Sequence, residues 1–240
     1  MKKALSVITA FLVLQTAAAQ VKEGKITYEQ KVDMYRRIPE DNQQLRSMIA
    51  QFRTSKFELF FGNNQSLFKA MEEEPDMTEQ NNGGVVIRIG GSPDNEYYRN
   101  FSTEKSVEVR ELMEELYLVE DSIHKLAWKL EEGDTKTILS YTCKKAIAKT
   151  SRGTDVVAWY TEDIPVASGP DQFIGLPGMI LGIDANKGEI IFTAISLDKN
   201  SYSKNLKVPT KGKKITHAEY MAKQKEAFGN QPGGVRVVTN

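Results

Sequence analysis

Cysteine is almost missing from this chain. Cys143 stands alone in 240 residues, so no disulfide forms within it. In Leu139-Ser140-Tyr141-Thr142-Cys143 the thiol shares an alternating face with Leu139 and Tyr141, and a buried, inert cysteine is expected. Histidine is equally scarce: His124 and His217 lie far apart, and no HExxH, CxxC or helically spaced pair occurs. That speaks against a metal site built on imidazole or thiolate. Neither sign of charge is in excess, with 32 basic and 32 acidic residues, so no overall basic field recruits nucleic acid. After the N-terminus no apolar run approaches the roughly 20 residues of a transmembrane helix. Nucleophile signatures are lacking as well. There is no Gly-x-Ser-x-Gly elbow, and Ser-x-x-Lys recurs at Ser66, Ser102, Ser122, Ser196 and Ser201 without its companion motifs.

What is present begins with a leader. Lys2 and Lys3, the apolar Ala4 to Leu14 and the small Ala17-Ala18-Ala19 form a secretory pattern, so residues 1–19 are expected to be a signal peptide. The mature chain then starts at Gln20 and holds 221 of the 240 residues, enough for one domain with a sizeable core.

Lys22 to Met34 alternates and reads as a first strand. Leu45, Met48, Ile49 and Phe52 then fall at helical spacing, which predicts a helix over 40–52 with one apolar stripe. Phe57 to Phe61 and Ser66 to Phe68, around Gly62-Asn63-Asn64, read as a hairpin. Residues 72–95 are acidic, then Asn/Gly-rich, and are expected to be a long mobile loop with at most a short strand from Val85 to Ile89. Strand-like runs follow at 97–101, 107–112, 116–119, 127–130, 137–148, 155–161, 179–183 and 189–197, and the simplest construction is an antiparallel meander. Thr216 with Glu219 forms a capping box before a helix over 220–228, and 229–240 reads as a flexible tail.

Two acidic stretches invite a calcium reading. The run Glu72 to Glu79 is better explained as a solvated face. Asp184-Ala185-Asn186-Lys187-Gly188 lacks the remaining ligands of a calcium loop and reads as a hairpin turn. No metal and no cofactor are expected. In Asp155 to Thr161, Val157 and Trp159 occupy one face and Val156, Ala158 and Tyr160 the other. Such a strand is covered on both sides or lines a cavity on one, and the sharper reading is a hydrophobic groove roofed by the helix at Leu45 to Phe52.

The chain is organised around Ile164 to Ile183, which holds three of its eight prolines and Gly169, Gly175, Gly178 and Gly182. Leu176-Pro177-Gly178-Met179 reads as a type II turn, with proline presetting φ and glycine taking the positive φ that follows. Together with Tyr141-Thr142-Cys143-Lys144-Lys145-Ala146, Ala158-Trp159-Tyr160-Thr161, Ile164-Pro165, Ser168-Gly169-Pro170 and Phe173 to Ile180, this set of about forty residues resembles the GLPGLI family of secreted Bacteroidota proteins. Met179 replaces the leucine of the family hexapeptide, a swap of similar volume. The resemblance implies export to the envelope and a β-rich domain, and no reaction. It is similar in outline to periplasmic lipoprotein and lipid carriers of the LolA/LolB type, although fold alone does not imply function.

The expected fold is therefore mainly β, an antiparallel meander over 20–228 curved into a half-barrel or open barrel, with a helix after the first strand and another near the C-terminus. The expected function is non-enzymatic. The concave face would hold an apolar small molecule or lipid, or support an outer-membrane protein, in the periplasm, at the outer membrane or outside the cell. Trp159, Tyr160, Phe173, Leu176 and Pro177 are the expected contact residues, with Gly175, Pro177 and Gly178 forming the structural turn. A protein-interaction module of an outer-membrane or secretion-linked complex and an enzyme of unrecognised type are the alternatives.

Overall fold

The computed structural model describes residues 20–71, 85–88, 95–228 and 236–239. The expected signal peptide lies outside these, as do most of the loop at 72–95 and of the tail at 229–240. In chain order the strands are β1 (Gly24–Asp33), β2 (Phe52–Gly62), β3 (Gln65–Ala70), β4 (Val85–Arg88), β5 (Glu96–Asn100), β6 (Lys105–Leu112) and β7 (Glu115–Ser122). Then come β8 (Lys129–Ile138), β9 (Tyr141–Lys149), β10 (Asp155–Thr161), β11 (Met179–Ala185), β12 (Ile190–Asp198), β13 (Lys213–Thr216) and β14 (Arg236–Thr239). The helices are α1 (Gln43–Met48) and α2 (His217–Phe228).

Twelve strands form one open sheet in the order β13-β7-β6-β5-β3-β2-β1-β12-β11-β10-β9-β8, while β4 and β14 pair separately. The fold is mainly β, as the alternating runs require, and the sheet does not close into a barrel. It is two meanders rather than one. β1 pairs antiparallel with β2 on one side and with β12 on the other, and residues 123–128 carry the chain from β7 to β8 at the opposite edge. β13 adds to β7 in parallel, the one parallel ladder among the described residues. The β8 edge carries Lys129, Glu131, Glu132, Asp134 and Lys136, with a register shift between Leu130 and Thr135. Charge and a bulge are the usual protection of an exposed edge.

Several local expectations change. The run at 137–148 is a hairpin, because Leu139 and Ser140 both adopt positive φ, 49° and 65°. The predicted helix over 40–52 shrinks to six residues capped by the Asn42 carboxamide, whose oxygen accepts from the Leu45 amide at 3.1 Å. None of its residues is buried, Met48 is 57% exposed, and Phe52 is the first residue of β2. The capping box is formed as read: the Thr216 amide donates to the Glu219 carboxylate at 2.7 Å and the Glu219 amide to the Thr216 hydroxyl at 3.2 Å. Burial of Tyr220 against Tyr117 and Val119 holds α2 on the sheet.

The main core lies between the sheet and the segment that joins β10 to β11. Ile26, Tyr28, Leu59, Phe61, Phe68 and Phe192 from the sheet meet Ile164, Phe173, Leu176, Met179 and Ile180. Cys143 belongs to this core with no exposed surface, and burial pushes its thiol up to about 11.

Candidate functional site

The expected contact residues do not form a surface. Tyr160, Phe173 and Leu176 are 2%, 4% and 1% exposed and sit in the core. Trp159 is half-buried on the other face of β10, beside Lys136, and Pro177 is exposed. The corner from Ile164 to Gly178 instead caps the inner face of the sheet, and four side chains fix it there. Ser168 Oγ donates to Ser66 Oγ at 2.9 Å, and Arg99 Nη2 donates to the Asp171 carbonyl at 2.6 Å. Trp128 Nε1 donates to the Ile174 carbonyl at 2.8 Å, and the Tyr28 hydroxyl to the Ile180 carbonyl at 2.6 Å.

The tip is not a type II turn. The Gly178 amide donates to the Leu176 carbonyl at 2.8 Å, and the Met179 amide goes to the Ile164 carbonyl at 3.0 Å instead of closing a four-residue turn. Glycine is needed at 178 because the Thr161 carbonyl oxygen lies only 2.1 Å from where a Cβ would stand. Gly175 does require positive φ, at +94°.

A ladder of cations and rings links the corner to α2. The Arg99 and Arg110 guanidinium carbons lie 5.3 and 5.2 Å from the Tyr97 ring, and Arg110 lies 5.1 Å from the Tyr220 ring. Glu108 bonds Arg110 at 3.1 Å, and burial drives the Tyr97 phenol well above its ordinary value. Every ring in this ladder packs on the fold, which marks it as a clamp.

A cleft opens beside the C-terminal end of β1. With a volume of about 600 Å³, it is lined by Tyr35, Arg36, Arg37, Ile38, Pro39, Glu40, Arg46 and Gln51, three arginines against one carboxylate. The sequence builds it locally. The Asp33 carboxylate accepts from the Tyr35 amide at 3.1 Å, turning the chain out of β1 into a short 3₁₀ turn, Met34–Arg37. The Tyr35 hydroxyl donates to the Arg46 carbonyl at 2.9 Å, and Arg46 Nη2 returns bonds to the carbonyls of Tyr35 and Ile38 at 3.1 and 3.0 Å. The β11–β12 hairpin anchors two of these arginines from outside the lining. Its Asn186 and Lys187 carbonyls accept from Arg36 Nη1 at 2.5 and 2.8 Å, and Glu189 pairs with Arg37 at 3.1 Å.

This is not the groove expected along Asp155 to Thr161: no residue of β10 lines it, and α1 contributes Arg46 as a lining residue where a roof was expected. Its chemistry is cationic where an apolar lining was expected. Among the described residues neither Arg36 nor Arg46 has a carboxylate within 4.0 Å, and the buried Nε of Arg46 has no acceptor. Carbonyl dipoles neutralise a guanidinium only in part, so the cleft favours an anion, and two planar forks suit a carboxylate or phosphate. The signal was present in Tyr35-Arg36-Arg37 and Arg46, but only the fold shows that these arginines converge.

A family model described as "Protein of unknown function (Porph_ging)" matches residues 149–182, which run from the end of β9 through the corner into β11. The match makes this stretch similar to a Bacteroidota-type family, under a name other than GLPGLI. No curated protein matches the sequence. Two solved structures of PNGF-II, in the P21 and C2 space groups, share the fold with TM-scores of 0.55 and 0.54 at 14% and 15% identity. They cover 87% and 86% of this chain but 34% and 33% of their own, so this chain spans about a third of the length of PNGF-II. None of the cleft arginines lies within the matched stretch at 149–182.

Proposed function

We propose that this chain is an exported, non-enzymatic binding protein of the cell envelope, and that the cleft lined by Tyr35, Arg36 and Arg46 takes the anionic group of its ligand or partner. One observation carries the reading: Arg36 and Arg46 line an open cleft, and among the described residues neither is ion-paired, Glu40 of the same lining included, while the buried Nε of Arg46 has no acceptor. Export rests on the leader pattern of residues 1–19. Binding is favoured over catalysis because arginine does not exchange its proton in proteins, and because burial moves Cys143 and Tyr97 away from ionisation near neutral pH. The inner face is filled by the chain's own corner, so an apolar ligand would meet the protein at the rim, with the exposed Pro39 offering the apolar contact.

Native mass spectrometry of the mature protein, gently extracted from its own host, tests this. The expected spectrum shows a bound small molecule or a second protein, lost in Arg46→Ala and retained in Trp159→Ala. A bare chain in the wild type, or an adduct indifferent to Arg46 and lost with Trp159, contradicts the proposal.

A further inference from the structure

We infer that the segment between β12 and α2 is a basic strap that docks the protein on an anionic lipid surface, through a face separate from the cleft. From Lys199 to Ala218 the chain carries Lys199, Lys204, Lys207, Lys211, Lys213 and Lys214 and not one acidic residue. Whole-chain neutrality hides this run, and the carboxylates that touch the segment, Asp198, Glu23 and Glu120, meet Tyr202, Ser201 and Lys214. All six lysines are exposed. Among the described residues only Lys214 has a carboxylate partner, Glu120 at 3.0 Å, and Lys199 stands 5.9 Å over the Tyr141 ring.

The strap is two-sided. Tyr202 packs 5.5 Å from the Phe60 ring and donates its hydroxyl to the Asp198 carboxylate at 2.6 Å, which holds the start of the segment on the sheet. Leu206 is half-buried beside Gly62, and Pro209 is buried. β13 then zips the segment onto β7. With these residues turned inward, Lys204, Lys207, Lys211 and Lys213 are left outward, together with Val208, which is 49% exposed.

A fixed row of lysines with no interspersed acid is the arrangement that anionic headgroups attract, each lysine adding to the attraction within about a Debye length of the surface. The exposed valine at its centre adds an apolar group able to reach the acyl boundary. Lysine, a strongly hydrated point charge, suits a mobile array of headgroups better than the bidentate grip on one anion that arginine provides in the cleft.

The test is co-sedimentation of the mature protein with phosphatidylcholine vesicles and with vesicles containing about 30% phosphatidylglycerol, at low and high salt. Binding is expected to the anionic vesicles only, to weaken with salt, and to fall at least about tenfold in the triple variant Lys204→Glu, Lys207→Glu, Lys211→Glu. That variant should keep the wild-type melting temperature, since these side chains touch nothing in the core. Arg46→Ala should bind vesicles normally, which separates this inference from the cleft reading. Equal binding to neutral vesicles, no binding to either, undiminished binding by the folded triple variant, or capture of heparin without capture of vesicles would overturn it.

Discussion

Single residues in this protein act mostly by what they exclude. Gly178 leaves room for the Thr161 carbonyl at a distance no Cβ tolerates, so Gly178→Ala should cost at least about 2 kcal/mol and Gly178→Val more. Urea unfolding would show it as a lowered midpoint, and an unchanged midpoint would refute the close-approach argument. The importance of this glycine is legible in the sequence, but the reason is not. Pro-Gly advertises a type II turn, and only the path of β10 shows a neighbouring strand's carbonyl pressed against the glycine. Cys143 is simpler: alternation with Tyr141 already pointed inward, and burial with a thiol raised to about 11 follows. The folded protein should therefore resist thiol reagents at pH 8 and react only after unfolding. Rapid labelling of native protein would mean that β9 opens readily.

Among the elements, α2 is the one whose attachment is most exposed to test. Tyr220 is 3% exposed and stacks edge-on with Tyr117 at 6.1 Å while Arg110 covers it, so Tyr220→Ala should destabilise by about 3 kcal/mol. The loss should appear first as hydrogen exchange within 217–228. The cap adds a pH dependence. Hydrogen bonds from the Thr216 backbone and hydroxyl hold the Glu219 carboxyl below its usual value. A depressed carboxyl stabilises the fold above its unfolded pKa and loses that contribution as pH falls through the folded one. Exchange in the first turn of α2 should thus quicken on acidification below the ordinary carboxylate range, and Glu219→Gln should flatten the response. An identical acid response in the variant would assign it to another group.

Legibility at this scale depends on whether a signal is local. The capping box and the Asn63-Asn64 hairpin are local and were readable. The hairpin at Leu139-Ser140 was not, since neither residue announces a turn, and its two strands merged into one run. β13 was invisible for another reason. Lys-Lys-Ile-Thr has no alternation to read, and its pairing to β7 is parallel, which no neighbouring stretch predicts. The arginines of the cleft and the lysines of the strap were missed because charge was summed over the chain, and sums erase clusters.

For the whole molecule, the central result is that the sheet covers its inner face with its own chain. The Ile164 to Gly178 corner, bonded to Ser66, Arg99, Trp128 and its own flanks, fills that face with its own apolar side chains. The corner then serves stability, and the proposed binding site lies at the rim, where Arg36 and Arg46 are held by carbonyls and have no ion pair among the described residues. The choice between a fixed plug and a lid is a choice of free energy, because amides sealed into a core exchange only when the whole domain unfolds, whereas those of a lid exchange by local opening. The deciding measurement is native-state hydrogen exchange on the Gly175, Met179 and Ile180 amides, which donate to the carbonyls of Ala167, Ile164 and Ser168. Protection equal to that of the β11 amides of Gly182 to Ala185 is the predicted result. Exchange faster by several orders of magnitude in the isolated protein would contradict the account and return the inner face to the role of a ligand chamber.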